Sequence, residues 1–142
     1  MSDGLTILIA EDDDGHARLI QERFESVGVL NPIKRFKDGD EAWAFLSGQD
    51  GLVAGGEYLL LLDIRMPGLD GVEVLRRMKS DDRLRHIPVI MLTTTDDPRE
   101  IENCYKLGCN NYLTKPVGFE RFAEVVRRLG LFLMVMRVDK FK

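Results

Sequence analysis

The stretch "ILIAEDDD", residues 7–14, decides how this chain is read. Four apolar residues suit a buried strand, and four carboxylates follow without a break, so like charge is crowded at the mouth of the core. Working outward, residues 5–10 form a first strand. From Asp14 to about Gly28, Ala17, Leu19, Ile20, Phe24 and Val27 fall at helical spacing closed by glycine. After Asn31-Pro32, residues 33–36 read as a short strand, and Asp38-Gly39 turns into a helix over 40–46. The unbroken apolar run 58–62 suits a central parallel strand covered on both faces. Leu69, Val72, Leu75 and Met78 mark a third helix, and residues 88–92 a fourth strand. Asp96-Asp97-Pro98 is an N-cap with proline at the first helical position, opening a helix that ends near Gly108. Residues 111–114 make a last strand. From Val117 onward a final helix carries Phe119, Phe122, Val126 and Leu129 on one face. The glycine-rich stretch 47–57 is a loop longer than most helix-to-strand connections.

Strands alternating with helices predict an α/β protein with a parallel sheet and right-handed crossovers. Five of each favour the flavodoxin-like (βα)5 three-layer sandwich, with strand order 2-1-3-4-5 and a site beyond the carboxyl ends of strands one and three. The length of 142 residues is about one domain. A net charge of −4 carries no nucleic-acid or anionic-membrane signature, and no apolar run approaches the ~20 residues of a membrane helix. Cys104 and Cys109 form neither a CxxC motif nor a disulfide framework. They fit a reducing compartment, and a cytoplasmic location with no nucleic-acid or membrane partner is expected.

The residues that end the strands share one edge. Strand one ends in Glu11 and Asp12, strand three in Asp63, strand four in Thr93 and strand five in Lys115. Two carboxylates about 5 Å apart repel by roughly 3 kcal/mol at an effective dielectric near 20. Three together call for a neutralising cation or a raised pKa. Oxygen ligands without neighbouring His or Cys point to a hard ion, Mg²⁺ or Ca²⁺, and Mg²⁺ also accepts phosphate oxygens. Lys115 and the Thr93 hydroxyl suit those oxygens as a point charge and a donor. The set fits phosphoryl transfer, with Asp63, alone at the end of the central strand, as the nucleophile. Asp13 and Asp14 are expected only as cap and first-turn acids, and His16 as a surface or packing residue.

At these residues the chain resembles a response-regulator receiver domain, through "ILIAEDD", "LLLLDIRMPGLDG", "PVIMLTT" and "YLTKP" in that order and spacing. The resemblance implies that Asp63 receives a phosphoryl group from the phosphohistidine of a sensor histidine kinase. It implies Mg²⁺ bound by Asp12, Asp63 and the backbone carbonyl of Arg65, with Glu11 acting through water. Thr93 and Lys115 would bind the phosphoryl group, and Tyr112 would be the switch aromatic that follows Thr93 inward. That switch would alter the face formed by helix four, strand five and helix five. The Lys115-Pro116 bond is a candidate for the cis form, which proline tolerates. Thr94, Thr95 and Arg65 depart from the commonest pattern beside the site.

The run "LGLFLMVMRV", residues 129–138, holds a single charge. The expected organisation is a receiver domain over 1–128 and a hydrophobic C-terminal extension over 129–142 that makes a homodimer. Phe119, Phe122, Leu129, Leu131, Phe132, Leu133, Met134, Val135 and Met136 are the expected interface. Receivers associated with bacterial phytochrome kinases look similar in their long second loop and hydrophobic C-terminus, which makes such a kinase a candidate donor. A histidine phosphotransfer protein is the alternative phosphoryl partner. The competing function is a constitutively dimeric scaffold that keeps the site without using phosphorylation.

Overall fold

The computed structural model describes residues 4–48, 50–136 and 138–141; Arg137 in the apolar run, Gln49 in the long loop, and the ends of the two expected segments (1–3 and 142) lie outside the described residues. The elements are β1 (Leu5–Ala10), α1 (Asp14–Ser26), β2 (Ile33–Phe36), α2 (Gly39–Ser47) and β3 (Glu57–Leu62). They continue with α3 (Gly71–Lys79), β4 (Val89–Thr93), α4 (Pro98–Leu107), β5 (Asn111–Thr114) and α5 (Phe119–Leu133). The parallel sheet has the order β2-β1-β3-β4-β5. This is the flavodoxin-like fold expected.

The period of two along each strand sorts the core into two layers. Leu5, Ile7 and Ile9 of β1, with Leu59 and Leu61 of β3, pack under α1 and α5 beside Phe24, Phe122 and Val126. Leu8, Ala10, Leu60 and Leu62 face α2, α3 and α4, meeting Ala42, Leu46, Val74, Leu75 and Cys104. Both faces of the central strands are covered, so their sequences are continuously apolar.

Capping sets where the helices begin. The carboxylates of Asp13, Asp38, Asp70 and Asp97 accept backbone N–H bonds from the first turns of α1, α2, α3 and α4. Helix α3 therefore starts at Gly71, two residues later than its apolar spacing suggested, because Asp70 is spent on the cap. A Cβ at Gly71 would stand 2.1 Å from the Asp63 carbonyl. The missing side chain lets Gly71 N donate to the Ile64 carbonyl at 2.8 Å, which seats the start of α3 against the end of β3.

The C-terminal segment differs most from expectation. Helix α5 runs to Leu133 with no break at residue 128, and Lys140 and Phe141 lie beside the start of β3, at the opposite end of the sheet from the acidic residues. There Phe141 exchanges backbone hydrogen bonds of 2.6 Å with Gly55 and Gly56. Its buried ring meets Tyr58 edge-on at 6.1 Å, with the Arg83 guanidinium 5.4 Å from its centre. This strap ties down the glycine-rich loop. Of the nine residues expected at a dimer interface, Phe122, Leu129 and Leu133 are instead buried in the protein's own core. They lie on the face of α5 that packs on α1 and the sheet, so they leave the candidate interface. Phe119, Leu131, Phe132 and Val135 are exposed, and Met134 and Met136 are half-buried. Among the described residues no helix is long and apolar enough to cross a membrane.

Candidate functional site

Strand register brings the acidic residues together. Ala10 pairs with Leu62, so the next residues, Glu11 and Asp63, leave the sheet side by side. Asp63 N donates to the Ala10 carbonyl at 3.1 Å, and Glu11 N to the Phe36 carbonyl at 3.0 Å. Carboxylate oxygens of Glu11, Asp12 and Asp63 lie within 4.8 Å of one another. Glu11 and Asp63 are buried and Asp12 is exposed. Burial pushes the Glu11 carboxyl up to about 7 against the pull of Lys115, and the Asp63 charge adds to the rise.

Lys115 follows β5 and is held there by its backbone N–H, which donates to the Thr93 carbonyl at 2.6 Å. Its ammonium, buried with the two acids, donates to Asp63 Oδ2 at 2.9 Å and to Glu11 Oε1. Asp63 Oδ1 is buried and has no hydrogen-bond partner among the described residues. A buried carboxylate oxygen left unpaired is costly, and it is the position a cation or an incoming electrophile satisfies. One orphaned oxygen, three convergent carboxylates and no nitrogen or sulfur ligand among them fit a hard divalent ion such as Mg²⁺.

Thr93, the last residue of β4, is fully buried. The Tyr112 hydroxyl donates to the Thr95 carbonyl at 2.6 Å, so the ring already sits inward beneath the β4–α4 loop. Burial pushes its phenol pKa upward. Its backbone N–H donates to the Tyr105 hydroxyl at 3.0 Å. Arg65 is exposed, and its Nε donates to Thr95 Oγ1 at 3.3 Å across the mouth of the site. Asp13 and Asp14 serve as expected. Asp13 caps α1, where the His16 N–H holds its carboxyl below the usual range. Asp14 pairs with Arg35 at 2.8 Å. The cis candidate is corrected: there is no cis peptide bond among the described residues, so Lys115-Pro116 is trans, the isomer X-Pro bonds favour by about 0.5–1 kcal/mol.

Two residues at the site were not foreseen. Arg35 donates from Nε to the Glu11 carbonyl at 2.9 Å, reaching over from β2. Its signal was a basic residue near the end of the strand that pairs with β1. His16, expected only at the surface or in packing, has Nδ1 3.2 Å from Lys115 Nζ. Its place one turn into the helix after the acidic cluster was the available hint.

The model of the response regulator receiver domain matches residues 7–127. The chain belongs to the response regulator receiver family, whose members are signalling modules. A receiver domain structure from Rhodospirillum rubrum is 48% identical with a TM-score of 0.92, covering 96% of this chain and 99% of that one. Response regulator Rcp1 of Synechocystis sp. is 34% identical over 95% of this chain and 86% of its own length. The Mn²⁺-bound form of response regulator Rcp1 matches with a TM-score of 0.86 at 30% identity, over 94% of this chain and 98% of that one. The phosphorylated cyanobacterial phytochrome response regulator RcpA is 33% identical with a TM-score of 0.84, over 94% of this chain and 96% of RcpA. The chain is thus homologous to phytochrome response regulators.

Proposed function

We propose that this protein accepts a phosphoryl group on Asp63 from the phosphohistidine of a sensor histidine kinase, or of a histidine phosphotransfer protein, and uses it as a switch. The observation that carries this reading is Asp63 Oδ1, buried at the tip of the central strand and without a hydrogen-bond partner among the described residues. Mg²⁺ would be held by Asp12, Asp63 and the Arg65 backbone carbonyl, with Glu11 acting through water. Bound there, the ion supplies charge neutralisation for entering phosphoryl oxygens. An Asp63 oxygen bonds phosphorus as the donor's P–N bond breaks, and the imidazole departs. The Lys115 ammonium exchanges a carboxylate for a phosphoryl oxygen, and the Thr93 hydroxyl donates to another. Those contacts exist in one state only, so they shift the equilibrium of the loop that holds Thr95 and Tyr112. The readout is the α4-β5-α5 face.

The similarity to Rcp1 and RcpA supports a kinase of the bacteriophytochrome type as donor. Exposed Phe119, Leu131, Phe132 and Val135 on and just past α5 support a homodimer. They equally favour the second reading, a constitutive dimeric scaffold. Two experiments separate these. Acetyl phosphate or a sensor kinase should label the wild type in a Mg²⁺-dependent way and leave Asp63→Asn unlabelled; no label on the wild type refutes the first reading. Sedimentation should show a dimer. A monomer at high micromolar concentration, with and without a phosphoryl analogue, refutes the dimer.

A further inference from the structure

We propose that His16 is a positioning residue for Lys115, supplying the third acceptor that keeps its ammonium at the acidic site; this rests on the phosphoryl-accepting reading of Asp63. An ammonium has three N–H donors and no acceptor. Glu11 Oε1 takes one and Asp63 Oδ2 takes another at 2.9 Å. His16 Nδ1, at 3.2 Å, is placed for the third. Since Lys115 can only donate, this contact is a hydrogen bond in the tautomer that carries its ring proton on Nε2 and leaves Nδ1 to accept. The 4.0 Å from Nδ1 to Glu11 Oε1 is too long for a hydrogen bond, which agrees with a bare Nδ1.

The ring is held for this task. Its edge meets the Phe122 ring at 4.9 Å between centres and 73° between planes. Its backbone N–H is tied to the Asp13 carboxylate at 2.9 Å. Lys115 Nζ lies 5.9 Å from the centre of the same Phe122 ring, so one aromatic of α5 backs both partners. The three acceptors differ in what happens when the site is used. Both carboxylates are claimed by a bound cation or by phosphorus. The imidazole is claimed by neither, so it holds Nζ in place when the others let go.

Two substitutions separate this role from plain packing. In His16→Asn, Oδ1 hangs from Cγ as Nδ1 does in histidine, so the acceptor is kept and the packing on Phe122 is lost. In His16→Leu the packing is kept and the acceptor is lost. The readouts are the initial rate of Asp63 labelling by acetyl phosphate with Mg²⁺, in which the Asp63 oxygen bonds phosphorus and acetate leaves, and the ¹⁵Nζ resonance of Lys115. His16→Leu should label about tenfold more slowly and shift the Nζ signal, and His16→Asn should stay within about twofold of wild type. A labelled wild type matched by His16→Leu, or His16→Asn slower than His16→Leu, overturns the proposal. A wild type that takes no label overturns the phosphoryl reading itself.

Discussion

Replacing Lys115 by Met isolates the electrostatics of the site. The Lys115 side chain is 2% exposed and contacts Glu11, also 2% exposed, and Asp63, 8% exposed. Met keeps the length and apolar stem but removes the charge. The carboxylate oxygens then face one another within 4.8 Å, a repulsion of at least about 3.5 kcal/mol per pair at an effective dielectric of 20. The protein can escape by protonating one acid. Burial already pushes Glu11 up to about 7 with Lys115 in place, so at neutral pH this escape is open at little further cost and holds the penalty to the low end of its range. Breaking a buried pair by removing one partner generally costs about 3–5 kcal/mol. Lys115→Met should therefore lose about 3 kcal/mol of stability when metal is chelated. Saturating Mg²⁺ should return most of it, and Mg²⁺ should bind the variant at least about tenfold more tightly, since a competing cation has gone. Urea unfolding followed by Trp43 emission, with chelator and with Mg²⁺, measures both. A metal-free loss below about 1 kcal/mol, or weaker Mg²⁺ binding in the variant, would refute this account of the site.

Other consequences can be checked in the same material. Glu11 holds its proton more tightly folded than unfolded, so its share of metal-free stability is full below pH 4.5 and is lost as pH rises through about 7. That loss, on the order of 3 kcal/mol, should be absent in Glu11→Gln and reduced by Mg²⁺; parallel stability–pH curves for wild type and Glu11→Gln would contradict it. Gly71→Ala puts a Cβ 2.1 Å from the Asp63 carbonyl and should cost about 3 kcal/mol or more while weakening Mg²⁺ binding, read by calorimetry. Phe141→Ala empties the buried site between Tyr58 and Arg83 and should cost about 3 kcal/mol, with faster proteolysis of the loop at Val53–Gly56; an unchanged digestion pattern counts against the strap. Phe132→Glu, on the exposed side of α5, should leave the protomer's own unfolding free energy within about 0.5 kcal/mol of wild type and convert dimer to monomer in sedimentation.

Short-range patterns in the chain encode the elements and the grouping of the site. The strands over 58–62 and 88–92 follow from apolar runs and the helices from their spacing, because burial period and backbone geometry are local. Asp12, Asp63, Thr93 and Lys115 could be grouped before any coordinates, because a parallel sheet sends every strand end to one edge. The remaining contacts come from how the elements stack. Leu131 and Leu133 look alike in the C-terminal run, yet one is exposed and the other buried, since the packing of α5 on α1 chooses the inward face. Phe141 meets Gly55 and Gly56 only because the chain turns back after α5. His16 reads as surface beside Asp14, yet its Nδ1 stands at Lys115, ninety-nine residues away. Contacts of that kind depend on which elements stack, and no window of neighbouring residues contains that information.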